Sequence, residues 1–264
     1  MLFISMNVLE IYKRLPKTNC GKCRQKKCMP FSVALAQGEV SAGDCPCIPG
    51  TLREELDRLG GSGDWRESLI SDLKQEVSTI DLSTVAEGLG AVMREDSLSI
   101  RCLGRDFLVG PTGDVTANGR MTPWMQILLL HYIRTRGDAR LTGNWVAYAE
   151  LRSGMVKASS FLRDCEEPLR TFFDRARERT ERLLEGLGAV REEGMSAPVA
   201  WKLFVLPKVP VLILHWPPDE EFPSHLKILF DSTADRFLDI ESLMFLLEGL
   251  VSQLEADIGP GRTG

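Results

Sequence analysis

The sequence predicts an α+β protein in two parts: a small irregular and helical module rich in cysteine, then an α+β domain with a mostly antiparallel sheet. Three observations carry that expectation. Four of the seven cysteines fall between residues 20 and 45. A Gly60-Gly61-Ser62-Gly63 run breaks the chain soon after them. Beyond the break, apolar residues recur in blocks at strand spacing and at helical spacing. With 264 residues, 44% hydrophobic and 26% charged, the chain can bury a sizeable core beside a small module.

Taken in order, Pro30 marks the opening of a helix over Met29–Gln37, stopped at Gly38. Pro49-Gly50 then breaks the chain, and 51–59 reads as a short amphipathic helix. Asp64-Trp65-Arg66-Glu67 has capping-box form, so a helix should follow to about Glu76. The expected divisions are a cluster-sized module over 1–49, a short helix and linker over 50–63, an α+β domain over 64–258 and a disordered tail over 259–264. Leu98–Leu103 and Asp106–Val109 alternate around Gly104-Arg105, which predicts a hairpin. Trp124, Ile127, Leu128 and His131 share a helix face, as do Leu169, Phe172, Phe173, Ala176, Leu183 and Leu187, and later Leu243, Leu246, Leu247, Leu250 and Leu254. Strands are expected at Trp201–Leu206, Val211–Trp216 and Leu226–Phe230.

Charge is unevenly placed. Residues 1–38 hold seven bases (Lys13, Arg14, Lys17, Lys22, Arg24, Lys26 and Lys27) against Glu10, while the whole chain carries a net −5. The larger part is therefore acidic, which excludes general nucleic-acid binding by it. The opening Met1-Leu2-Phe3-Ile4-Ser5-Met6 has no preceding bases and meets Glu10 too early for a signal peptide. Pro207, Lys208 and Pro210 interrupt the most apolar later stretch, well short of the ~20 residues a membrane helix needs. A soluble, cytoplasmic protein is expected, and an odd cysteine count fits metal ligation in a reducing compartment better than a disulfide framework.

The cysteines follow Cys20-x2-Cys23-x4-Cys28-x16-Cys45-Pro46. A 4Fe-4S cluster asks for one thiolate on each of four irons, and three ligands close in sequence with a distant fourth meet that need. Asn19 and Gly21 accept positive φ, so the chain can turn tightly and aim its amides at sulfur. The expected helix after Cys28 would point its positive end at the anionic cluster. Zinc also takes four thiolates, usually as two close pairs, and the second half here has no close pair except Cys45-Pro46-Cys47. Cys47 competes with Cys45 for the fourth position; the Cys-Pro context favours Cys45. Cys102 and Cys165 read as small buried apolar residues.

Leu15-Pro16-Lys17-Thr18-Asn19-Cys20-Gly21-Lys22-Cys23, then Cys28-Met29-Pro30-Phe31-Ser32-Val33-Ala34, then Gly43-Asp44-Cys45-Pro46 resemble the 4Fe-4S module of the corrinoid iron-sulfur protein large subunit. That family is also known as the gamma subunit of acetyl-CoA decarbonylase/synthase. The resemblance covers about residues 7–46 and implies Cys20, Cys23, Cys28 and Cys45 as ligands. It also implies a low-potential electron passed to a corrinoid, carried by a partner or by the C-terminal domain. Between the second and third cysteines the family has a neutral Gly-aromatic-Pro type segment, whereas this chain has Arg24-Gln25-Lys26-Lys27. Residues 65–257, with Ile127-Leu-Leu-Leu-His-Tyr132, Trp216-Pro-Pro-Asp-Glu-Glu-Phe-Pro223 and Ile228-Leu-Phe-Asp231, resemble an uncharacterised domain family often fused to such modules.

The larger part has no Gly-x-Gly-x-x-Gly, phosphate loop, Gly-x-Ser-x-Gly or His-Glu-x-x-His. His215 and His225 flank Asp219-Glu220-Glu221, so a folded hairpin there would gather imidazole and carboxylate into a metal site or offer an axial ligand; a solvated acidic turn is the plainer reading. His131 reads as a satisfied core histidine. Arg175, Arg179 and Arg182 share a face with Glu178 and Glu181, a solvated helix surface. The function expected is that of an electron-transfer protein serving a redox partner, a corrinoid protein being the one implied. A scaffold with a structural cluster and an acidic partner-binding domain is the alternative, and an enzyme centred on His215 and the acidic turn is a third.

Overall fold

The computed structural model describes residues 8, 10–36, 40–59, 65–119 and 121–258. The expected helix stop at Gly38, the Gly60–Gly63 linker, the Asp64 cap and the 259–264 tail lie outside them. The chain divides into two compact units, Met1–Ser71 and Asp72–Gly264.

In the first unit, helical residues 10–14 end where the Leu15 amide donates to Ile11 and Tyr12 carbonyls. Helix α1 (Cys28–Ala36) begins one residue earlier than expected and turns Phe31, Ala34 and Leu35 inward. A 3-10 turn over Ala42–Asp44 follows, in which Asp44 accepts from the Ser41 amide at 2.7 Å. Asp57 of α2 (Gly50–Leu59) reaches back to accept from the Ala42 amide at 2.6 Å. The core is Ile11, Leu15, Phe31, Leu35, Ile48 and Leu56, and Cys28 and Cys45 belong to it. Each large side chain so buried contributes about 1.5–3 kcal/mol. A unit this small has little core to offset its chain entropy, which is the situation in which small natural domains take on a metal staple.

The boundary between the units falls inside α3 (Trp65–Ser78). Helix α4 (Leu82–Leu89) follows, capped by the Asp81 carboxylate on the Ser83 amide and closed by Gly90 at φ 62°. Strands β1 (Val92–Arg94), β2 (Ser97–Cys102), β3 (Arg105–Val109) and β4 (Val115–Ala117) form an antiparallel sheet in that order. The expected hairpin is its centre, turning at Leu103 and Gly104 with φ 47° and 76°. Helix α5 (Pro123–Arg134) starts at the Thr122 cap, with Pro123 in its first turn.

The second sheet runs β5 (Trp145–Ala147), β9 (His225–Asp231), β8 (Val209–Trp216), β7 (Val199–Leu206), β6 (Val190–Arg191), again antiparallel. Between β5 and β6 lie short α6 (Ala158–Phe161), a π-helical turn at Leu162–Glu166 and α7 (Glu167–Gly186); α8 (Ala234–Phe237) and α9 (Ile240–Ile258) follow β9. Strand β8 extends two residues beyond expectation, because a bulge between Phe204 and Leu206 in β7 accommodates Pro210. All of β8 from Val209 to His215 is buried, as suits a strand covered on both faces.

Two polar ties hold this unit where helices and loops meet the sheets. The Tyr132 hydroxyl of α5 donates to the Leu89 carbonyl at 2.7 Å and accepts from the Lys208 amide at 3.0 Å. Buried Asp231, at the end of β9, accepts from the amides of Thr142, Gly143 and Thr233 at 3.0, 2.6 and 3.0 Å. Burial alone would raise the Asp231 carboxyl; these donors hold it below its ordinary value.

Replacing Tyr132 by Phe leaves the Leu89 carbonyl and the Lys208 amide without their buried partner. A loss of about 1–3 kcal/mol in urea unfolding of the full chain is expected; a loss below ~0.5 kcal/mol would show that water takes over both bonds.

Candidate metal centre

The ligand loop is built from left-handed residues. Lys17, Asn19, Gly21 and Lys26 have φ of 58°, 46°, 71° and 59°. Asn and Gly adopt this conformation readily, while Lys26 holds it at a cost of about 1–2 kcal/mol. The loop is closed by one bond: Asn19 Oδ1 accepts from the Cys28 amide at 2.8 Å. That amide opens α1 and would otherwise be one of the helix's orphan donors. The sequence shows that Asn19 can turn the chain; it gives no sign of this cap, because no local rule links residues nine apart.

Cys28 and Cys45 are buried, Cys23 and Cys47 half-buried and Cys20 exposed. All five line one cavity, together with Asn19, Lys26, Lys27 and Phe31. Burial pushes the Cys45 thiol up, the Cys47 amide opposes this by donating to its sulfur, and Cys23, Cys20 and Cys28 push it up again. The Cys20 thiol is lowered, chiefly by the Lys22 amide and next by the Cys47 thiol. Cys47 is raised by the same contact, whose sulfurs lie 3.4 Å apart. Sequence reasoning set Cys47 against Cys45; the fold sets its sulfur against Cys20.

Among the described residues, no group of three or more His, Cys, Asp or Glu is arranged around a single ion. Thiols set around one cavity can serve either kind of centre, a cluster that asks for one thiolate at each of four irons or a tetrahedral zinc ion.

The other candidates find structural partners. The β8–β9 register sets Trp216 against His225 and His215 against Leu226, so the two histidines point to opposite faces. His215 is 2% exposed, stacks on Phe173 at 4.8 Å and meets Asp174 at 3.2 Å through Nε2. Burial lowers its pKa against the pull of Asp174, which leaves the imidazole neutral at pH 7. His225 lies against Trp216 instead, and Asp219 accepts from the amides of Glu221 and Phe222. The candidate gathering of both histidines with the acidic turn is therefore not formed. His131 Nδ1 lies 3.2 Å from Asp239 and 3.3 Å from Ser242. Glu178 and Arg182 pair at 3.9 Å. The Cys102 thiol is pushed up to about 12 by burial, and Cys165 is raised for the same reason. No described helix is long and apolar enough to cross a membrane.

Fold and site together define an iron-sulfur module joined to an antiparallel α+β domain. Residues 81–253, two thirds of the chain, match the family model described as a domain of unknown function, DUF3786, and the chain belongs to that family. Residues 15–47 match the family model for an Fe-S cluster. Over 56 residues the chain is 41% identical to the acetyl-CoA decarbonylase/synthase complex subunit gamma of Methanothermobacter thermautotrophicus, covering 21% of this chain and 12% of that one. Over 49 residues it is 49% identical to the corrinoid/iron-sulfur protein large subunit of Moorella thermoacetica, covering 19% and 11%. The chain thus spans about an eighth of the length of these relatives. No solved structure matches it.

Burial raises the Asp239 carboxyl, but hydrogen bonds from His131 and Ser242 outweigh it and hold the group at about 2, against an ordinary 3.8. A depressed carboxyl contributes stability above its unfolded value and loses it as pH falls through the folded one. Asp239→Asn should therefore cost about 1 kcal/mol at pH 7, a figure kept small because half the side chain is in water. The gap from the parent should close between pH 4 and pH 2 in thermal melts; a gap independent of pH would show that charge plays no part.

Proposed function

We propose that Cys20, Cys23, Cys28 and Cys45 hold one 4Fe-4S cluster, and that the protein transfers single low-potential electrons to a partner or bound cofactor. The observation that supports this is the set of thiols around one cavity, those of Cys20, Cys23, Cys28 and Cys45 with Cys47 beside them. When bound, the cluster supplies a one-electron couple. The chain's own contribution is to bury two corners in the module's core and leave the Cys20 side open. Lys22, Arg24, Lys26 and Lys27 are exposed in the same loop, and Lys26 and Lys27 line the cavity. The named relatives are a corrinoid protein and a subunit of an acetyl-CoA-processing complex, so a corrinoid in anaerobic one-carbon metabolism is the acceptor proposed. Ligation by free thiols supports a reducing compartment, and the cytoplasm is the one proposed.

Protein purified without oxygen should hold about four irons and four sulfides per chain. Cys23→Ala, Cys28→Ala and Cys45→Ala should each remove most of the iron, while Cys47→Ala keeps it. Stoichiometric zinc would sink the cluster, and loss in Cys47→Ala with retention in Cys45→Ala would move the fourth ligand.

The basic rim predicts a salt-dependent encounter. Nearby cations favour the more negative, reduced cluster, but exposed charges are screened within about 8 Å at physiological salt, so they shift the potential little. Steering toward an acidic partner surface is the larger effect. Lys26→Glu with Lys27→Glu should slow electron exchange with a corrinoid protein by roughly tenfold at low salt and much less at high salt. Rates equal to the parent's at every ionic strength would show that the rim is not a docking surface.

A further inference from the structure

We propose that Cys47 is a second ligand for the cluster corner served by Cys20, so that one iron is held by a pair of interchangeable thiols. The inference rests on the cluster reading above and adds a ligand to it. Cys47 Sγ lies 3.4 Å from Cys20 Sγ, and both line the cavity shared with Cys23, Cys28 and Cys45. A metal–thiolate bond is about 2.3 Å, as at zinc. Two sulfurs 3.4 Å apart therefore have a common region that a bonded metal can occupy with either of them. Their exchange needs no displacement of the cluster.

Cys47 follows Cys45 by two residues, with Pro46 restricting the backbone between them, and its sulfur meets that of Cys20.

The corner concerned is the one where a spare ligand has a use. Cys28 and Cys45 are buried, whereas Cys20 is exposed, so its sulfur is the one most open to oxidation. With a cluster bound, Cys47 would replace Cys20 at one iron, and the proton given up by the incoming thiol would pass to the released sulfur across the 3.4 Å contact. Neither the charge of the site nor its oxidation state changes, so no outside reactant is needed.

The test compares the full chain with Cys20→Ala, Cys23→Ala, Cys47→Ala and the Cys20→Ala/Cys47→Ala pair, all purified without oxygen. Alanine is used so that no replacement oxygen can bind iron. Circular dichroism confirms that each variant is folded, and iron content and electron paramagnetic resonance are read. Cys47→Ala should hold iron like the parent. Cys20→Ala should keep at least half of it and show the signal of a reduced four-iron cluster, whereas Cys23→Ala and the double variant should lose it or show the oxidised three-iron signal. Cys20→Ala as poor in iron as Cys23→Ala would overturn the proposal, as would a double variant equal to Cys20→Ala. A parent without iron would overturn the cluster reading itself, and the proposal with it.

Discussion

The hydrogen bond from the Cys28 amide to the Asn19 side chain is the constraint on which the cluster module depends. It joins the two ends of the ligand loop, so that Cys20 and Cys23 are carried to the side of the core where Cys28 begins α1. The left-handed backbone at Asn19 and Gly21 has its purpose in that closure, since a loop of right-handed residues would not bring residue 19 back to residue 28. Phe31 and Leu35 then anchor the helix, and Asp57 anchors the turn that delivers Cys45. The site is thus assembled by backbone geometry and packing before any charge is considered.

Much of this was legible in the sequence, because the signals concerned are local. The Cys20–Cys28 spacing, the Asn-Cys-Gly turn and the apolar periodicity of α5, α7 and α9 are each decided within about ten residues. The hairpin at Gly104 and strands β7, β8 and β9 follow from alternation or continuous apolar runs. What escaped was short or distant. Strands β1, β4, β5 and β6 have two or three residues each, too few to show a period. Helix α4 is eight residues with two β-branched positions and a glycine, and only its Asp81 cap marks it.

The histidines show the same limit from the other side. His215 and His225 look like partners in sequence because they flank an acidic turn. The ladder places them on opposite faces, and the partner of His215 is Asp174, 41 residues away on α7. Cys47 was likewise paired with Cys45 because two residues separate them, whereas the contact of its sulfur with Cys20 spans 27 residues.

The Asp231 carboxylate has a consequence for the order in which the chain's ends are joined. Strand β5 meets β9 across nearly half of the larger unit's length, and the Thr142–Asp231 bond spans 89 residues. Closing a flexible loop of that length costs about 4 kcal/mol of chain entropy by the logarithmic scaling. Three ladder pairs are a modest return for it. Bonds to a charged acceptor are individually stronger, about 1.5–3 kcal/mol each, and Asp231 gathers several of them at the point of closure. The outer strand is in effect fastened by a single clasp, whose grip depends on one ionised group staying ionised.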